Sequence, residues 1–455
     1  MPVCEPTGGK FPPECPQGYR QSGPGTPAVS KGTSDRPQTV GKDGSKRPHP
    51  MDVGNRSPEG KRPTLRAMSD LSTRSSQLPQ GLADDLAACR APAGEAATLP
   101  PACYADPEVH ALEEAAIFRR GWIGVGRSDT WSANGDYRTF ELGGVPVIVV
   151  RDDDGRLRAY GNSCSHRSSR ILEGEGTCAR MRCRFHFWTY GLDGRLIGAP
   201  SMQRTPGFDT AEHGLTEFAL SERHGFALVS LEEEPPAIDD WLGDFGDLHA
   251  DWPLSDVVTT RRREFTVDCN WKAFAEVFNE YYHLPYVHPD SIDGTYDEPD
   301  DPEQVDGAYA SHFGTTVGTG GLLDATQDQA LPAIPGLTGR PTTGVRYSWL
   351  FPNLMVALGR EALWMYEVYP DGPDRCRCAQ VVCFPQATID AEGFEDSVAD
   401  YYERFDTALG EDIPMLVQQH AGQRSPFARQ GRFSYLESNV AAFADWYAGQ
   451  LLTVH

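Results

Sequence analysis

Residues 162–190 read NSCSHRSSRILEGEGTCARMRCRFHFWTY, and two Cys–His pairs stand in them: Cys164-Ser-His166, then sixteen residues, then Cys183-Arg-Phe-His186. Two thiolates and two imidazoles on separate loops suit two chemistries. One is structural zinc, tetrahedral with mixed ligands. The other is a two-iron cluster, with two cysteines on one iron and two histidines on the other. Common zinc fingers pair cysteine with cysteine and histidine with histidine, whereas each loop here carries one of each. Turn signals bracket the pairs: Asp154-Gly155 before them, Gly191-Leu-Asp193-Gly194 after. Phe140-Glu-Leu and Val145-Pro-Val-Ile-Val-Val read as short antiparallel strands. From Gly121 to about Leu231 the text is therefore a small β domain whose loop tips can meet.

Further on, residues 270–288 read NWKAFAEVFNEYYHLPYVH. A helix is predicted over 270–283. Glu276, Glu280 and His283, spaced four and three apart, would share one of its faces. Pro285 would break that helix and let the chain turn His288 back toward His283. Two histidines and a carboxylate with open positions make the facial triad of oxygen-activating ferrous iron.

Together the two motifs resemble Rieske non-haem iron oxygenase α subunits, the bacterial ring-hydroxylating α-subunit family, from about Leu82 to the C-terminus. The resemblance implies an α+β chain: an all-β Rieske domain, then a catalytic domain with a curved antiparallel sheet and covering helices of helix-grip type. It implies that Cys164, His166, Cys183 and His186 hold a [2Fe-2S] cluster, and that His283, His288 and Asp412 hold a mononuclear Fe(II). Glu411 and Asp406 are rivals for the third iron ligand. Glu280 takes the place of a carboxylate that bridges a cluster histidine and an iron-ligand histidine. Glutamate there is similar to the choline, carnitine and glycine-betaine monooxygenase branch. Glu276 falls behind it. Dioxygen is the co-substrate. Electrons pass between neighbouring subunits of a ring, commonly a homotrimer, after a separate NAD(P)H-dependent flavin/iron–sulfur reductase supplies them. Gly318-Thr-Gly-Gly321 lacks the strand–turn–helix setting of a nicotinamide or flavin site. Three residues depart from the family pattern. Ser168 and Phe187 replace glycines, and Phe185 replaces a tyrosine.

Composition bounds the rest. A formal charge of −24 disfavours a phosphate backbone, so nucleic acid is not an expected partner. No apolar run suits a bilayer span, and the start lacks a signal-peptide core, which points to the cytoplasm. Eleven cysteines include Cys89, Cys269 and Cys376, expected to be buried thiols. Residues 1–80 hold 13 of the 36 prolines and only two aromatics, Phe11 and Tyr19. They read as a disordered tail, with Met68 an alternative start. Residues 82–120 are expected to be a helical segment on the catalytic domain, with Asp106 capping a helix that opens at Pro107. The Rieske domain is expected over 121–232 and the catalytic domain over 233–455. Strands are predicted within 347–359, 362–370 and 376–385, and a helix over 394–423, with His420 a packing residue. Residues 290–343 read as a long lid-like loop.

Tyr281, Tyr282, Tyr286, Trp349, Trp364 and Tyr366 are either core or a cage for a quaternary ammonium group. The expected activity is hydroxylation or oxidative N-demethylation of a small substrate. The alternatives are a ring-hydroxylating dioxygenase and a non-catalytic electron carrier.

Overall fold

Val147, Ile148, Val149 and Val150 are all fully buried, as in a strand covered on both faces. They form β3 (Val145–Arg151) of a seven-stranded antiparallel sheet. Its order is β1 (Ile123–Arg127), β10 (Phe226–Ser230), β9 (Glu217–Arg223), β4 (Leu157–Gly161), β3, β2 (Asp136–Leu142) and β5 (Glu175–Thr177). A small sheet of β6 (Met181–Arg182), β7 (Thr189–Tyr190) and β8 (Leu196–Gly198) stands beside it. The first Cys–His loop joins β4 to β5, and the second joins β6 to β7. The computed structural model describes residues 78–91 and 94–453. Nearly all of the expected tail, with Met68, lies outside the described residues.

The second sheet is a meander. Strands β12 (Tyr296–Pro299), β13 (Tyr309–Thr316), β14 (Gly344–Leu350), β15 (Leu354–Leu358), β16 (Leu363–Pro370) and β17 (Cys376–Pro385) pair in succession, and β11 (Val257–Val267) closes against β17. Period-two alternation sorts its two faces. Leu363 and Met365 pack with Trp122 and Phe226 from the first half and with Phe245, while Trp364 packs with Phe405 and Tyr401 beneath a helix. The expected 290–343 loop is corrected here, because β12 and β13 run through it. Residues 309–313 are all buried, but the text YASHF carries no clean apolar alternation and its flanks are rich in turn formers.

Six helices matter for the site. They are α1 (Leu82–Cys89), α2 (Pro107–Glu113), α3 (Trp271–Val277), α4 (Leu284–Val287), α5 (Phe394–Gln423) and α6 (Ser438–Leu452). Asp106 caps α2, accepting the Glu108 N–H at 2.8 Å. The residues of α5 match the predicted 394–423 span. Buried Glu113 gathers Lys272, Trp271 Nε1 (3.1 Å) and Tyr447, fixing α2 and α6 to the start of α3. Cys89, Cys269 and Cys376 are buried thiols. Among the described residues, no helix is long and apolar enough to cross a membrane.

The two sheets are locked together. Gly124 on β1 exchanges two 2.9 Å hydrogen bonds with the Asn353 side chain. A Cβ at Gly124 would lie 2.2 Å from Leu354, so glycine alone permits this approach. Buried Arg127 donates to the carbonyls of Leu254 and Val257 at 2.7 and 2.8 Å.

Candidate metal centres

The two Cys–His loops close in the same way. Ser168 N donates to Cys164 O (2.8 Å) and Phe187 N to Cys183 O (3.1 Å). Each loop then needs a left-handed residue. Ser168 and Phe187 supply it with φ of 57° and 59°, at the two places where the sequence departs from glycine. Such a backbone costs a non-glycine residue about 1 kcal/mol, so both loops carry strain. Cys164 and Cys183 are buried among Ile148, Val150, Trp188 and Leu192. His166 and His186 sit at the rim with ring centres 4.6 Å apart, and His166 stacks on Trp188 at 4.8 Å. Tyr190 Oη lies 3.2 Å from Cys164 Sγ, and Phe185 faces outward. Among the described residues, three candidate donor atoms converge within 4.8 Å only at His283, His288 and Asp412. One tetrahedral zinc would require such convergence of the Cys–His set. Two buried thiols and two rim imidazoles, split in pairs, fit a two-iron cluster better.

At the second centre the helix ends earlier than its spacing predicts. α3 stops at Val277. Asn279 Nδ2 bonds back to Ala275 O at 2.7 Å, and the Glu280 carboxylate accepts the N–H groups of Tyr282 and His283. Side chains that capture local backbone groups compete with helix propagation. Glu276, Glu280 and His283 therefore do not share one helical face, and Pro285 stands in the first turn of α4 rather than breaking α3.

His283 and His288 nevertheless meet, with ring centres 5.1 Å apart. Asp412 comes to them from α5, its Oδ1 lying 3.6 Å from His283 Nε2 and 3.0 Å from His288 Nε2. That oxygen is buried and makes no hydrogen bond. Behind the rings, His283 Nδ1 meets Glu280 and His288 Nδ1 meets Glu411 at 2.7 Å. A carboxylate on each Nδ1 holds the proton there and leaves both Nε2 atoms as acceptors. Three acceptors then face one point, an arrangement that calls for a cation. The donor set fits the implied iron.

The rivals have other partners. Glu411 orients His288 and accepts from Ser291 Oγ at 2.7 Å. Asp406 pairs with Arg261 and Arg263. His420 is buried and pairs with Asp374 at 3.0 Å. Glu276 accepts from Tyr104 Oη at 2.6 Å, and burial pushes its carboxyl up to about 8.

Tyr281, Tyr296, Tyr347, Tyr366 and Arg404 line a cavity of about 50 Å³ that reaches His283, His288 and Asp412. A groove of about 520 Å³ also reaches Glu276, Glu280 and Asp412. Of the singled-out aromatics, Trp349 and Trp364 are core, and Tyr282 and Tyr286 are exposed. Tyr296, Tyr347, Arg404 and the orienting role of Glu411 do not stand out in the sequence. The carboxylate beside Asp412 was the one available signal.

A Rieske [2Fe-2S] domain model matches residues 121–210, and a model of the ring hydroxylating alpha subunit (catalytic domain) matches residues 247–453. The glycine betaine monooxygenase oxygenase subunit of Chromohalobacter salexigens is 30% identical over 390 residues, covering 78% of this chain and 86% of that one. The chloroplastic choline monooxygenase of Arabidopsis thaliana is 29% identical over 371 residues, covering 77% and 82%. A solved quaternary ammonium Rieske monooxygenase superposes with a TM-score of 0.68 at 21% identity, covering 82% of this chain and 99% of that one, a likeness of fold. Two matched domains in the expected order and a relative aligned over most of both chains place this chain in the Rieske non-haem iron oxygenase α-subunit family, oxidoreductases that use O2, a [2Fe-2S] cluster and a mononuclear iron.

Proposed function

We propose that the chain is a terminal oxygenase that hydroxylates or oxidatively N-demethylates a small quaternary ammonium compound. The observation that carries this reading is the tyrosine-lined cavity that opens on the His283, His288 and Asp412 group. Tyr281 and Tyr347 stand nearly perpendicular with ring centres 5.9 Å apart, and Tyr281 and Tyr296 likewise at 5.7 Å. Ring faces set at right angles attract a methylated cation that offers no hydrogen bonds. The relatives named for glycine betaine and choline and the glutamate at position 280 support the same reading.

In it, Cys164, His166, Cys183 and His186 hold the cluster, and His283, His288 and Asp412 hold the iron. When bound, these groups supply single electrons and dioxygen activation. The protein's part is positional. Glu411 and Glu280 keep the Nδ1 protons in place and the Nε2 lone pairs turned inward. The tyrosines exclude water. The cavity holds only about one or two waters, so substrate entry displaces lining from residues 290–343, which contribute Tyr296. The domains run over 121–232 and 233–455. The electron source is an NAD(P)H-dependent flavin/iron–sulfur reductase, the compartment is the cytoplasm, and the assembly is a homotrimer.

The test is turnover of the holoenzyme with a surrogate reductase under labelled dioxygen. Glycine betaine, choline and carnitine are set against flat aromatic substrates. Consumption of a methylated ammonium with one labelled atom transferred supports the reading. An aromatic product carrying both atoms replaces it with ring dioxygenation. About two irons per chain and no oxygen uptake would leave an electron carrier.

A further inference from the structure

Arg404 presents a cation where the proposed substrate class would not want one. It lies on α5, 5% exposed, and lines the same cavity as His283, His288 and Asp412. No carboxylate forms an ion pair with it among the described residues. Nη2 donates to Tyr296 Oη at 2.9 Å, while Nε is buried with no partner. Its other neighbours are ring faces, Trp364 at 5.6 Å and Phe405 at 5.2 Å. Tyr347 Oη bonds Tyr296 Oη at 2.8 Å, so the guanidinium heads a short chain of phenols.

A buried charge is normally paired, because its lost hydration otherwise goes uncompensated. Aromatic faces and one phenol offset only part of that loss. The planar fork of a guanidinium matches a carboxylate, which it takes with two parallel N–H donors. A substrate that was only a cation would be repelled at this spot. A substrate with a carboxylate beyond its ammonium group would complete it.

Resting on the quaternary ammonium reading, we propose that Arg404 anchors a substrate carboxylate, with Tyr296 beside it, so that the enzyme takes zwitterionic betaines in preference to cationic amino alcohols. The tyrosine rings select the methylated ammonium, and Arg404 selects what lies at the other end. Its place in the cavity makes it a specificity residue rather than a reacting one.

The experiment is anaerobic calorimetric binding of glycine betaine and choline to the holoenzyme. These ligands share a trimethylammonium group and differ in carboxylate against hydroxyl. Wild type should bind glycine betaine more tightly. Arg404→Gln should lower glycine betaine affinity by about 10- to 100-fold and raise choline affinity, because the repelling charge is gone. Arg404→Lys should recover part of the betaine affinity. Parallel loss of both ligands in Arg404→Gln, or wild-type preference for choline, overturns the proposal. Failure of the ammonium reading shows separately, as binding of neither ligand to wild type. Benzoate and benzyl alcohol then serve as the matched pair. Loss of benzoate alone in Arg404→Gln sustains the carboxylate anchor, and no selective loss removes it.

Discussion

Glu276 and Glu280 are one turn apart in the sequence and have opposite surroundings. Glu276 is buried against Tyr104 and is held toward its neutral form, its carboxyl near 8. Glu280 reaches out of the end of α3 and grips both the backbone and the ring of His283. The Glu280→Gln variant should keep both metals yet lose turnover by about 100-fold, read by metal analysis beside steady-state rates. Wild-type turnover would remove Glu280 from the electron path. Glu276→Gln should change turnover little and affect stability instead. A carboxyl whose pKa rises from 4.5 to about 8 on folding favours the fold below the lower value. That benefit is lost as pH climbs through the upper one. The glutamine variant should therefore gain in Tm over wild type, most clearly above pH 8.

At the scale of elements, what could be read depended on who satisfies the backbone. α5 announced itself through the period of Val398, Tyr401, Phe405 and Leu409, all buried. The strand pairs β14 to β17 did so through dense β-branched and aromatic text. The end of α3 was hidden because Asn279 and Glu280 take over backbone groups with their side chains, and spacing alone shows no such capture. Arg404 was hidden for another reason. A lone arginine on an amphipathic helix reads as a solvated face, and only the sheet opposite turns it inward. Two histidines illustrate a cost of the sheet core. His249 bridges Phe245 O and Ser348 Oγ on β14, and burial lowers it to about 3. His312 on β13 is lowered to about 4, again chiefly by burial. Both are neutral in the fold and charge when it opens. Their contribution is complete above the ordinary histidine value of about 6.5 and falls away as pH drops toward 4, by the order of 3 kcal/mol each. Denaturation midpoints between pH 7 and 4 should fall less steeply in His249→Gln/His312→Gln than in wild type. Parallel slopes would locate the acid sensitivity elsewhere.

At the scale of the whole molecule, two surfaces ask for company. Phe185 (55% exposed) and Phe187 (57%) stand on the second Cys–His loop, and Ile197 (54%) on the β8 strand of the same small sheet. The 520 Å³ groove beside Glu280 has exposed Met415 on its rim. Unlike patches that meet between copies of one chain meet head to tail, and such contacts close into a ring when the rotation between copies allows it. Mixing a chain carrying Cys183→Ser with one carrying Asp412→Ala should therefore restore turnover that neither has alone, because one partner keeps an intact cluster and the other an intact iron site. A mixture as inactive as its parts would confine the electron path to a single chain.

The lock between Gly124 and Asn353, with Arg127 beside it, carries this further. A chain whose halves are fastened in this way cannot swing its own two Cys–His loops toward its own His283, His288 and Asp412. If electrons cross between neighbours, crowding becomes a condition of catalysis: specific activity should decline on dilution below the concentration that keeps neighbours in place, and recover on concentrating, with every cofactor still seated.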